Sequence, residues 1–249
     1  MKALIVPGVT DNNKGDQALV WETYRLIKDT NLFDEINIVL SININTDYPE
    51  NVKQTIDKGI KIIPTNILKH PRRNINFQND YVKDSYRNLF RMIFNGIFDL
   101  LSSLLILIVS NKKHLRQIFL PRSYNSLLDI YTEADVVFLK GGGFIHAYGE
   151  FYAFYLMWYF LFYIRLANKM KKKVIILPNS FGPFEGFWVK KQVKSVLSKV
   201  DLIYCREEVS SKALSELLGY PIKVESDLGF HLKVSSNAEE KVSYYFKKY

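Results

Sequence analysis

The sequence predicts a doubly wound, Rossmann-like α/β domain built on a parallel sheet. Two observations carry this reading. Short β-rich runs are apolar at consecutive positions, as strands covered on both faces must be. Longer stretches with helical spacing separate them. The candidate ligand-contacting motifs follow several of these runs, at the strand ends where open α/β sheets bind ligands.

In chain order, residues 2–6 form the first strand, which Pro7-Gly8 interrupts. This run is too short for a signal-peptide core. Residues 16–29 read as a helix with Leu19, Val20, Tyr24 and Ile27 roughly on one face. Strands follow at 35–42 and 60–63, then at 135–140, 174–177 and 202–205, with a weaker candidate at 222–225. Helices fill 150–170, 187–199 and 207–218.

Two segments depart from this alternation. Residues 89–109 are long and apolar enough to span a bilayer, which takes about 20 residues. They contain Arg91, Asn95 and Asp99, however, and basic residues flank both ends. An Asp at membrane depth costs about 2.5–3.5 kcal/mol, so an amphipathic helix lying in a membrane interface fits better than a span. The bland alternative is a helix packed on the sheet or on a partner. Residues 151–164 hold nine aromatics in the thirteen positions 151–163. A helix apolar all round is normally buried, which makes this the central helix behind the glycine-rich segment.

The chain has 249 residues, 48% of them apolar and 24% charged, which excludes disorder, collagen-like structure and coiled coil as descriptions of the whole. The single cysteine, Cys205, precludes an internal disulfide and fits a reducing cytosol. The net charge is +9 and is uneven: residues 1–50 carry −4, residues 69–122 carry +7. A local positive surface suits an anionic partner such as lipid headgroups or an acidic substrate. No helix-turn-helix or RRM signature supports a nucleic acid. No zinc spacing and no G-x-S-x-G elbow is present.

Five motifs stand at predicted strand ends. Asn13-Lys14-Gly15-Asp16 opens the first helix; Gly15 would permit a tight turn, and the Asp16 carboxylate would cap the helix. Its free N–H groups would suit a phosphate or carboxylate. Gly141-Gly142-Gly143 follows a strand and reads as a loop that lets a ligand approach the backbone. It matches neither the dinucleotide fingerprint nor a Walker loop. His146 nearby is a candidate acid or base. Pro178 to Pro183 reads as a turn in which Asn179 and Ser180 would donate to a ligand. Arg206 would hold a carboxylate or phosphate through its planar fork, or else pair with Glu207 or Glu208. Ser226 to Phe230 reads as a turn or a domain junction.

In their order and spacing these motifs resemble the polysaccharide pyruvyl transferase family. The resemblance rests on Asn13-Lys14-Gly15-Asp16, Gly141-Gly142-Gly143, Ser180-Phe181-Gly182-Pro183, Cys205-Arg206-Glu207 and Ser226-Asp227-Leu228-Gly229-Phe230. It implies the first half of a glycosyltransferase-B-like arrangement of two Rossmann-like domains. It also implies transfer of a pyruvyl group from phosphoenolpyruvate to two hydroxyls of a glycan or lipid-linked sugar, with no cofactor. Arg206 matches the arginine expected to hold the donor's anionic groups. Asn13, Gly15, Asp16, Gly141, Gly142, Gly143, Asn179, Ser180 and Arg206 are thus the candidate substrate-binding residues, and the catalytic acid is unassigned.

Family members usually continue into a second domain that supplies a His and basic residues, and commonly carry proline where this chain has Leu228. The expected layout is a Rossmann-like domain over 1–230 with a basic insertion at about 65–122. Residues 231–249 then form a tail or the start of a second domain. The expected location is cytoplasmic, peripheral at the inner face of the cell membrane through 89–109. A nucleotide-sugar glycosyltransferase of similar fold is the alternative enzyme. A non-catalytic, membrane-associated component of polysaccharide assembly is the third reading.

Overall fold

A computed structural model describes residues 1–42, 48–65, 77–78, 81–82, 86–233 and 243. The first half comprises β1 (Lys2–Val6), α1 (Lys14–Asp29), β2 (Glu35–Ser41), α2 (Lys53–Asp57) and β3 (Lys61–Thr65). A short antiparallel pair, β4 (Phe77–Gln78) and β5 (Tyr81–Val82), precedes three helices: α3 (Tyr86–Val109), α4 (Lys113–Phe119) and α5 (Arg122–Glu133). The second half comprises β6 (Val136–Leu139), β7 (Gly142–Tyr148), α6 (Ala153–Lys169), β8 (Lys173–Glu185), α7 (Val189–Leu197), β9 (Leu202–Cys205), α8 (Glu208–Leu218) and β10 (Lys223–Val224).

The main sheet is parallel throughout, in the order β10-β9-β8-β6-β1-β2-β3, with β7 added alongside β8. This is a doubly wound α/β fold, and its order reverses between β1 and β6. Alternate strand residues serve opposite faces. Ala3, Ile5, Ile36 and Ile38 pack with Val20 and Ile27 of α1. Leu4, Val6, Val137 and Leu139 join the larger core with α5, α6 and α7. The consecutive apolar positions in the sequence follow from this two-sided burial.

Two expectations about local structure are corrected. Gly141–Gly143 is not a loop: β7 starts at Gly142 and pairs with the far half of β8, Gly142 opposite Asn179 and Ile145 opposite Phe181. Residues 178–183 do not turn, because β8 runs on to Glu185. The physical reason is a change of partner. The first half of β8 pairs with β6, and the register breaks after Ile176. Beyond that break the strand serves β7, and its edge remains hydrogen-bonded without turning.

The predicted helix at 89–109 lies within α3, but its polarity is inverted relative to the protein. Asp99 (4% exposed) and Ser103 (0%) face inward, where Asp99 accepts from the Tyr155 hydroxyl (3.1 Å) and Ser103 accepts from the Trp158 indole N–H (2.8 Å). Ile106 and Val109 join the core at the C-terminal end, whereas Phe90, Phe94, Phe98, Leu101 and Ile108 point outward. The predicted insertion at about 65–122 falls partly outside the described residues, as does most of 231–249.

Candidate active site

Open α/β sheets bind ligands at the C-terminal strand ends, at the point where the order reverses. A cavity of about 640 Å³ lies there. Its walls are Pro7, Gly8 and Val9 after β1, Asn13, Asp16 and Leu19 of the α1 start, Lys140, Gly142, Gly143 and Phe144, Arg206 after β9, and Tyr159, Phe160 and Tyr163 of α6.

The start of α1 is fixed locally. Asn13 is the N-cap, its side-chain oxygen accepting from the Asp16 N–H (3.2 Å), and its amide donates to the Asp16 carboxylate (2.6 Å). The expected cap, Asp16, is therefore corrected to Asn13: Asp16 lies in the first helical turn, where a cap side chain cannot sit. Gly15 also belongs to that turn rather than to a tight loop. Asp11 anchors the entry from the other side, accepting from the Gln54 N–H (2.6 Å) and the Thr55 hydroxyl (2.7 Å).

The Asp16 carboxylate forms an ion pair with Lys140, whose side chain is 2% exposed. Lys140 also donates to the Gly141 carbonyl (3.3 Å) and stands 5.3 Å from the Phe144 ring centroid. Taking an ammonium out of water costs several kcal/mol before its partners offset it. Sequence reasoning passed over Lys140 because a lysine at a strand end reads as solvated. Its place at the end of an all-buried strand was the available signal.

Arg206 is held from three sides. Its Nε donates to the Ser180 hydroxyl (2.6 Å) and approaches Glu207 (3.3 Å), and its Nη1 donates to Asp227 (2.6 Å). Among the described residues its Nη2 has no hydrogen-bond acceptor. That atom is 3.0 Å from where a Cβ on Gly143 would stand, so the absence of a side chain at 143 makes room for the guanidinium. At Gly141 a Cβ would stand 2.9 Å from Leu228 Cδ1 and 3.2 Å from the Pro178 carbonyl. That glycine admits packing.

The predicted residues thus divide. Asn13, Asp16, Gly142, Gly143 and Arg206 share the cavity wall. Ser180 supports Arg206 from behind. Asn179 is fully buried, its amide donating to the Lys140 and Leu177 carbonyls (2.8 Å each). It therefore fixes the lysine's backbone, and the expectation that it donates to a ligand is corrected. His146 lies on β7 and does not itself line the cavity: its ring stands 5.2 Å from Tyr148 and 6.4 Å from Phe160, which does. The segment after Asp227 is a 3-10 turn, Leu228–His231, capped by the Asp227 carboxylate and packed against α1.

The α6 aromatics went unassigned as site residues in the sequence, where an apolar helix reads as core. Burial raises the Tyr163 hydroxyl well above its usual pKa. Burial, reinforced by the Asp99 charge, raises Tyr159. Both stay protonated at neutral pH as O–H groups. The cavity therefore joins Lys140, paired with Asp16, Arg206, whose Nη2 is left without an acceptor among the described residues, and a helix N-terminus, groups that suit a small anion.

No curated protein matches the chain. A family model for polysaccharide pyruvyl transferases matches residues 13–248, a stretch that opens at the cap of α1 and takes in Lys140, the three glycines and Arg206. A match over nearly the whole chain places it: the chain belongs to the polysaccharide pyruvyl transferase family.

Proposed function

We propose that the chain adds a pyruvyl ketal to a sugar of a cell-surface polysaccharide, with phosphoenolpyruvate as donor bound in the cavity between β1 and β6. The family is one of transferases. The observation that carries the donor assignment is the convergence of Lys140, Arg206 and the α1 N-terminus on that one cavity. Phosphoenolpyruvate brings a phosphate and a carboxylate. The Arg206 fork suits a planar carboxylate, and the lysine and helix N–H groups suit a phosphate.

The reaction protonates C3 of the enol, which makes C2 electrophilic. One sugar hydroxyl adds to C2 and loses its proton. The C2–O bond to phosphate then breaks and inorganic phosphate leaves. A second hydroxyl attacks C2 and closes the ketal, its proton going to the departing phosphate. Fixed cations that hold the departing phosphate stabilise charge as it develops. The reaction is assigned to the cytoplasm, in keeping with the single buried thiol of Cys205.

The test titrates the chain with phosphoenolpyruvate by calorimetry and incubates both with an acceptor glycan for mass spectrometry. Donor binding and an added pyruvyl mass are expected. Binding of a nucleotide sugar in place of phosphoenolpyruvate would support the glycosyltransferase reading instead. Binding of neither donor would leave the non-catalytic reading.

A further inference from the structure

Between Phe90 and Ile108 the outer face of α3 carries an apolar stripe. Phe90, Phe94, Phe98, Leu101, Leu105 and Ile108 recur at helical spacing and are between 37% and 71% exposed. A stripe of this extent on a soluble surface marks an interaction site. At the C-terminal end of α3 lies a bay of about 350 Å³, walled on one side by Leu104, Leu107 and Ile108. Its other walls carry Arg165, Lys169, Lys171 and Lys199, and among the described residues no carboxylate lines it. Arg165 stacks over the Trp158 ring at 4.4 Å and donates to Gln192 (3.1 Å), so its guanidinium is fixed beside the bay. Burial lowers its pKa to about 10, which leaves it charged at neutral pH.

We propose that this bay takes the phosphate of an anionic phospholipid while the outer face of α3 lies in the adjoining bilayer interface. An amphiphile with an anionic head and apolar chains matches the two surfaces and their contiguity. Exposed Arg87 and Arg91 extend the positive charge to the other end of the helix. The window Phe90–Val109 is long and apolar enough to cross a membrane. A crossing would nevertheless put Asp99 and Ser103 at membrane depth or pull them off Tyr155 and Trp158, and with them α6 from the sheet. Lying flat keeps those bonds and buries only the outer face. The inference is independent of the reaction proposed above, because its readout is lipid binding.

The experiment is sedimentation of the full chain with phosphatidylcholine vesicles and with vesicles that also contain phosphatidylglycerol. Binding to the anionic vesicles, weakened by added salt, is expected. Lys169→Ala/Lys171→Ala/Lys199→Ala should weaken it at least tenfold. Leu101→Asp/Ile108→Asp, at exposed positions where the fold tolerates charge, should abolish it, with circular dichroism checking that both variants fold. Equal binding to the two vesicle types, binding indifferent to either variant, or no binding at all would overturn the proposal. So would light scattering that shows a dimer which the Leu101→Asp/Ile108→Asp variant dissociates, since a second copy would then cover α3.

Discussion

Lys140 and Asp16 are 124 residues apart in sequence and form an ion pair across the point where the sheet order reverses, the lysine buried and the aspartate half-buried at the cavity wall. The pair joins the end of β6 to the first turn of α1. Removing one partner of a buried pair typically costs about 3–5 kcal/mol, because the other is left uncompensated. The two halves differ here. Asp16→Asn strands a buried ammonium, whereas Lys140→Met leaves a carboxylate that cavity water reaches. Urea unfolding should show Asp16→Asn as the more destabilised single variant. The double variant should recover most of the loss.

Lys140→Met should also weaken phosphoenolpyruvate binding, because a charge-assisted contact is worth roughly 1.5–3 kcal/mol. Calorimetry should read a loss of about tenfold or more. Unchanged donor affinity would make Lys140 a structural cation only.

Arg206→Ala should weaken donor binding by about tenfold or more on the same scale. Arg206→Lys should recover little, since an ammonium cannot reach Ser180, Asp227 and a ligand carboxylate together. Equal titrations for wild type and both variants would remove Arg206 from the donor site.

The two glycines that flank Gly142 should separate binding from stability. Gly143→Ala pushes on the end of the Arg206 side chain, so donor affinity should fall while the unfolding midpoint moves little. Gly141→Ala pushes on Leu228 and on the Pro178 backbone, and overpacking of this kind costs about 1–3 kcal/mol. Its unfolding midpoint should therefore drop. Calorimetry and urea titration on both variants check the contrast.

Burial pushes the Cys205 thiol up to about 12, and the Glu207 and Glu208 charges add to the effect. At pH 8 the thiol is thus overwhelmingly protonated, and the thiolate is the reactive form. Native protein should alkylate with iodoacetamide far more slowly than urea-unfolded protein at that pH. Rapid native labelling would contradict the burial of β9.

The strands were legible because two-sided burial writes itself as consecutive apolar residues, which holds for β1, β2 and β6, while β9 was legible as an apolar run although Leu202 is exposed. β7 was hidden by its own glycines, although Phe144 to Tyr148 alternates as a half-buried strand does. The partner change along β8 was hidden too, since Asn179 and Pro183 carry turn chemistry into an extended strand. Helix α4 was missed because it is one short stretch whose buried residue is Arg116, not an apolar one; α5 was missed although Tyr124, Leu127, Leu128 and Tyr131 recur at helical spacing. At the site, Arg206 was legible as a cation at a strand end. Lys140 was not, because only the long-range contact with Asp16 makes its burial affordable.

Helix α6 is a partition with no solvent side over much of its length. Tyr159, Phe160 and Tyr163 face the cavity between β1 and β6, whereas Tyr155 and Trp158 hold α3. Its crowding with aromatic rings then follows from serving two compartments at once. Each ring must fit a neighbour on its own side without disturbing the opposite one, so paired changes across the helix are the tolerable route and single ones are not. Sequence drift in this family member should accordingly be slow along α6 even at positions that touch no substrate.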